Sequence, residues 1–243
     1  MEIKIPTRIL IYPSIMSARL AVIPALIIVM GVTGPVVAAA PAIAPETVAL
    51  ESATRAVVAG IEDRWVDIRY VMTDTSARLA AARALRKETA TLVAEDPANL
   101  EIKFWHAMVL LLEAEYKRDL GSLRVVREAK RLFEEIEAEN TSLYDGRIHT
   151  GLAMLYSGVP GWPVAFGDNG KAEAHFKQAL EINPAGQEAN YLYADYLRGK
   201  KKPAEAIRYF EAALHAPVRV RAEEFRRKEI EHDLAATKAE FKP

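Results

Sequence analysis

Cysteine is absent from the chain. That excludes disulfide bridges, thiolate nucleophiles and cysteine metal sites together, and removes any cysteine to which lipid is attached. Neither sign of charge is in excess. The chain carries 32 Lys and Arg against 33 Asp and Glu, a formal net charge of −1, so neither nucleic acid nor an anionic membrane surface is expected as the main partner. The local signatures of common enzyme classes are missing too. No G-x-S-x-G, P-loop or G-x-G-x-x-G occurs, and the five histidines (His106, His149, His175, His215 and His232) show no H-E-x-x-H or other ligand spacing. No catalytic residue, cofactor or metal is expected. The basic runs Lys200-Lys201-Lys202 and Arg226-Arg227-Lys228, and the pairs Glu223-Glu224 and His232-Asp233, read as solvated surface.

What is present suits one globular domain: 243 residues, 51% hydrophobic and 27% charged, are enough to bury a core. The first forty residues differ in kind. A basic leader (Lys4, Arg8, Arg19) precedes the apolar stretch Leu20 to Val37, which ends in Ala38-Ala39-Ala40. This pattern predicts a secretory signal peptide over residues 1–40, cleaved after Ala39, and a periplasmic or secreted product. The alternative is an uncleaved inner-membrane signal anchor, against which Pro24, Gly34 and Pro35 argue as helix breakers. Cleavage would remove three basic residues and one acid, Glu2, leaving residues 41–243 as a mildly acidic single domain with no stable membrane insertion.

From Pro45 onward apolar residues recur at three and four spacing, and no alternating stretch of strand length is seen. The periodicity and its breakers predict an all-α chain of about nine helices, near 46–72, 75–95, 98–118, 122–139, 142–157, 169–182, 185–198, 203–215 and 220–240. Pro97, Pro184 and Pro217 disfavour helix in the residue before them, so Asp96, Asn183 and Ala216 are expected at helix ends. Asp74 and Asp168 or Asn169 are placed to cap first turns.

An internal repeat organises these helices. Ala172, Phe176 and Ala179 recur 34 residues later as Ala206, Phe210 and Ala213, and Ala129, Phe133 and Ile136 form an upstream copy. Small residues Ala107, Gly151 and Ala194 stand at the eighth position of each repeat. This is the tetratricopeptide period, in which small residues let paired helices approach while one aromatic fills the gap to the next pair. It predicts a helical-hairpin solenoid with repeats near 100–141, 144–184 and 187–217 and a capping helix over 220–240. Two repeats are longer than 34 residues, each between its two helices. The excess falls around Lys117 to Gly121 and in the loop GVPGWPVAFGDNG, residues 158–170. Insertions at equivalent turns map to one edge of a solenoid. Trp162 and Phe166 are expected there either as a lid over apolar helix surface or as the lining of a site, with the lid preferred.

The run PGWPVAFGDNGKAEAHFKQALEINPAGQEANYLYADYL, residues 160–197, with EDRWVDIRY (62–70) and EIKFWHAMVLLLEAE (101–115), resembles a family of exported bacterial tetratricopeptide-repeat (TPR) proteins. More remotely the chain is similar to the T component of TRAP transporters (TatT). That likeness implies a periplasmic helical-repeat protein that associates with a solute-binding partner and helps pass small organic ligands. The missing cysteine departs from it, because those proteins are typically lipoproteins. The repeat family lines its concave groove through fixed positions of the first helices. Here these hold Glu101, Phe104, Trp105 and Met108, then Asp145, Ile148, His149, Leu152 and Tyr156, then Glu188, Tyr191, Asp195 and Arg198. Such an aromatic and acidic surface suits a protein partner, an extended peptide or a small organic ligand. The expectation is thus a non-enzymatic binding protein, an accessory to solute uptake, with self-association left open. The alternative is a scaffold subunit of a cell-envelope complex.

Overall fold

The computed structural model describes residues 45–117 and 121–241. The expected signal segment and the tip of the first insertion lie outside these residues. Among the described residues nine α-helices follow one another: α1 (Pro45–Val66), α2 (Thr75–Glu95), α3 (Leu100–Lys117), α4 (Ser122–Glu139), α5 (Arg147–Gly158), α6 (Asn169–Ile182), α7 (Gln187–Gly199), α8 (Pro203–His215) and α9 (Arg221–Glu240). A π turn, Asp67–Val71, continues α1, and a 3₁₀ turn, Leu143–Gly146, precedes α5. No strand occurs among the described residues beyond an isolated bridge between Gly161 and Gly167.

The ends of these helices have local causes. Asp74 accepts from the Ala77 amide at 2.6 Å, Asn99 accepts from Ile102 at 3.1 Å, and Asp168 accepts from Gly170 and Lys171 at 2.9 and 3.1 Å. Each satisfies amides that a first turn leaves free. Asp96, Asn183 and Ala216, the residues before the three prolines, are the C-caps of α2, α6 and α8. The fifth helix starts later than its period suggests, because Tyr144, Asp145 and Gly146 have φ of 51°, 56° and 79°. Left-handed backbone cannot continue a right-handed helix.

Consecutive helices make the most extensive contacts, α7 with α8, α3 with α4, α2 with α3 and α5 with α6, which gives a helical repeat-like fold. Their interfaces use the residues that carry the repeat. Ala129, Phe133, Ile136, Ala172, Phe176, Ala179, Ala206, Phe210 and Ala213 are all buried. Gly151 shows why the close-approach position must be small: a β-carbon there would lie 2.8 Å from Cζ of Phe133.

The two ends of the helical chain close over the face expected to be a groove. From α1, Trp65 Nε1 donates to the Met108 carbonyl at 3.3 Å. From α9, Asp233 accepts from the Tyr191 hydroxyl at 2.8 Å. The ends also touch each other: Tyr70 stacks on Phe225 with centroids 5.2 Å apart, and Arg221 pairs with Asp67 at 2.7 Å. Among the described residues no helix is long and apolar enough to cross a membrane.

Candidate functional site

Closure by α1 and α9 relocates most of the expected groove. Phe104, Trp105, Met108 and Tyr191 are fully buried and belong to the core. Phe104 meets Trp105 and Phe133 edge-on at 5.8 and 5.9 Å, so its surface is spent on packing. Burial, and then the Asp233 carboxylate, hold the Tyr191 hydroxyl far above its ordinary range. Glu188 is buried as well, taking Arg147 Nε at 2.9 Å on one oxygen and Thr150 Oγ1 at 2.8 Å on the other. This knot fixes α5 against α7. The cavity beside it, between Arg147, Glu188, Arg219 and Glu223, has about 30 Å³, room for a water or two and no more.

The loop after α5 also departs from expectation. Trp162 is 90% exposed and covers nothing, which corrects its assignment as a lid. Phe166 takes that role: it is half-buried, edge-on to Tyr156 at 6.0 Å, with Lys130 5.6 Å from its ring. Backbone bonds impose this arrangement. Gly167 N donates to Pro160 O and Asp168 N to Tyr156 O, each at 2.9 Å, while Val164 N reaches Gly161 O at 3.1 Å. Gly167 is required here, since a β-carbon would fall 2.0 Å from Val159 O. The hairpin so formed points residues 162–164 outward and turns residue 166 inward.

Between α5, α6 and α7 lies an open cavity of about 250 Å³. Met154, Phe176 and Leu192 form its apolar wall, and Ser157, Asn169, Asp195 and Lys200 bring polar atoms to it. It borders a shallower recess of about 360 Å³ where Glu173 and Lys202 join Asn169, Tyr196 and Lys200. The Tyr196 hydroxyl donates to Asn169 O at 3.1 Å and braces the mouth. Arg198 pairs with Asp195 and reaches Asp233 at 3.4 Å. Of the expected groove residues, then, Asp195 lines this cavity and Arg198 orients it. An apolar wall with a few convergent polar groups is the usual make-up of a small-ligand site, and this volume falls just below the usual range of such sites.

Where α4, α5 and α6 meet, His149, Tyr156 and Phe166 come together with His175 of α6 and Glu137 of α4. His149 Nδ1 lies 3.3 Å from His175 Nδ1 and 3.3 Å from Glu137 Oε1, and His175 Nδ1 is 3.6 Å from the same oxygen. These atoms converge as metal ligands do. Burial, and then the neighbouring His175, lower His149 to about 4, and burial lowers His175, so both rings are neutral at neutral pH. Burial, with Glu134 adding to it, raises Glu137. Sequence spacing gave no sign of this trio, whose members are 12 and 26 residues apart on three helices. Compared with known proteins, the chain matches no family model and no curated relative.

Proposed function

We propose that the chain is an exported, TPR-type binding protein that takes a small amphipathic organic molecule into the cavity between α5, α6 and α7, as an accessory to solute uptake in the manner of TatT-like proteins. The observation that carries this reading is the cavity itself. Met154, Phe176 and Leu192 offer an apolar bed, while Asn169, Asp195 and Lys200 offer donors, an acceptor and a cation for one polar end.

Thermal-shift titration with short-chain organic acids and medium-length acyl compounds tests the proposal. A ligand at a hundred times its Kd should stabilise the protein by about 2.7 kcal/mol through mass action. Ser157→Phe, which fills the cavity mouth, should abolish the shift while leaving the unliganded midpoint nearly unchanged. No shift with any member of the panel would favour the scaffold reading instead. Trp162, exposed on a braced loop, favours that second reading as an anchor for a protein partner. Export is tested separately: protein from the native host should begin at Ala40 or within about two residues of it.

A further inference from the structure

We propose that Glu137, His149 and His175 form a binding site for a divalent transition-metal ion of the zinc class. The argument is geometric. Ligand atoms about 2.0–2.1 Å from a tetrahedral zinc ion lie about 3.3–3.4 Å from one another. The three edges here are 3.3, 3.3 and 3.6 Å, and a point equidistant from all three atoms lies about 2.0 Å from each. An ion slightly above that plane meets all three at bonding distance. The donor set fits the same class, because two imidazoles and one carboxylate suit zinc, copper or nickel better than the oxygen-seeking magnesium or calcium.

The ligands come from separate helices: Glu137 from the end of α4, His149 from the first turns of α5 and His175 from the middle of α6. One ion would therefore tie three helices together at a single point. Their surroundings hold the donors in place. The Tyr156 ring stacks on His175 with centroids 5.6 Å apart and 5° between planes. Glu134, the nearby carboxylate that could compete for the ion, is engaged by Lys130 and by the Tyr156 hydroxyl. Accessibility is graded as an entry path requires: the His149 side chain is 4% exposed, His175 15% and Glu137 28%. Three protein ligands leave a fourth position for water or an exchangeable group. This site shares no residue with the organic-ligand cavity between α5, α6 and α7.

The test uses the tag-free chain lacking residues 1–40, stripped with a chelator and titrated with zinc chloride by calorimetry. One equivalent should bind and raise the melting midpoint, and cobalt(II) in its place should show the intense visible absorption of a four-coordinate site. Glu137→Gln and His175→Gln, both at partly exposed positions that spare the fold, should each weaken zinc binding by at least ~100-fold, beyond what loss of an outer-shell partner costs. Ser157→Phe should bind zinc as the parent does, which separates this result from failure of the organic-ligand proposal. Absence of zinc binding to folded protein, or binding that survives both ligand substitutions, would overturn the assignment and leave the trio as a hydrogen-bonded knot.

Discussion

Trp162 and Phe166 share one short loop and have opposite fates. Phe166 lies edge-on to Tyr156 under the loop, whereas Trp162 points into solvent at 90% exposure. Trp162→Ala should therefore change stability by less than ~0.5 kcal/mol, while Phe166→Ala, which uncovers Tyr156, should cost about 1–3 kcal/mol in chemical denaturation. Equal effects would mean that the loop path is wrong. Glu62 makes a different kind of prediction. It is buried in α1 with one carboxylate oxygen lacking a hydrogen-bond partner. Burial raises its pKa to about 7, Arg147 opposes the rise, and Asp63 and Glu223 add to it. The folded protein thus holds a proton here that the unfolded chain releases at a lower pH, so stability falls as pH rises from about 4.5 to about 7. Glu62→Gln should stabilise the protein at pH ~8 by on the order of 2 kcal/mol and gain progressively less as the pH is lowered toward ~5.

The helix pairs are held by size-matched contacts, and these respond to added volume. Gly151 in mid-helix is a poor helix former, so Gly151→Ala should gain about 1 kcal/mol from propensity alone. The new methyl would meet Phe133 Cζ at 2.8 Å, and the ring cannot yield within a filled core. Overpacking of this kind costs about 1–3 kcal/mol, so the net change should be destabilising. Ala206, fully buried in α8, is the equivalent case without a propensity gain. Ala206→Leu should lower stability by about 1–3 kcal/mol, and an unchanged denaturation midpoint would mean that the repeat register is misplaced.

Across the molecule, the decisive contact is the packing of α9 against α7 and α8. The inner face of α9 is not simply apolar: it buries Arg226 and Asp233 beside Ile230 and Leu234. Asp233 receives Tyr191 Oη and lies 3.4 Å from Arg198, while the Arg226 guanidinium lies 5.2 Å from the Tyr191 ring. A buried carboxylate and guanidinium are tolerated only where such partners meet them. A chain ending at Ala216 should lose this cover, melt at a lower temperature and bind a hydrophobic dye through Tyr191 and its neighbours. An unchanged melting midpoint would show that α9 is peripheral.

The sequence by itself determined what depends on neighbours in the chain: the helix period, the capping aspartates, the breaks before Pro97, Pro184 and Pro217, and the 34-residue recurrence that put Phe176 and Phe210 in equivalent buried places. These rest on backbone geometry and residue volume within a few turns, so the spacing alone fixes them. Only the tertiary structure decided that α1 and α9 fill the face where Phe104, Trp105, Met108 and Tyr191 had been expected to meet a ligand. That outcome depends on where small rotations between successive helices carry the two ends, which no local spacing records. The same holds for Glu137, His149 and His175. Their convergence to 3.3–3.6 Å follows from how α4 packs against α5 and α6, and a separation of 26 residues between the two histidines carries no trace of it.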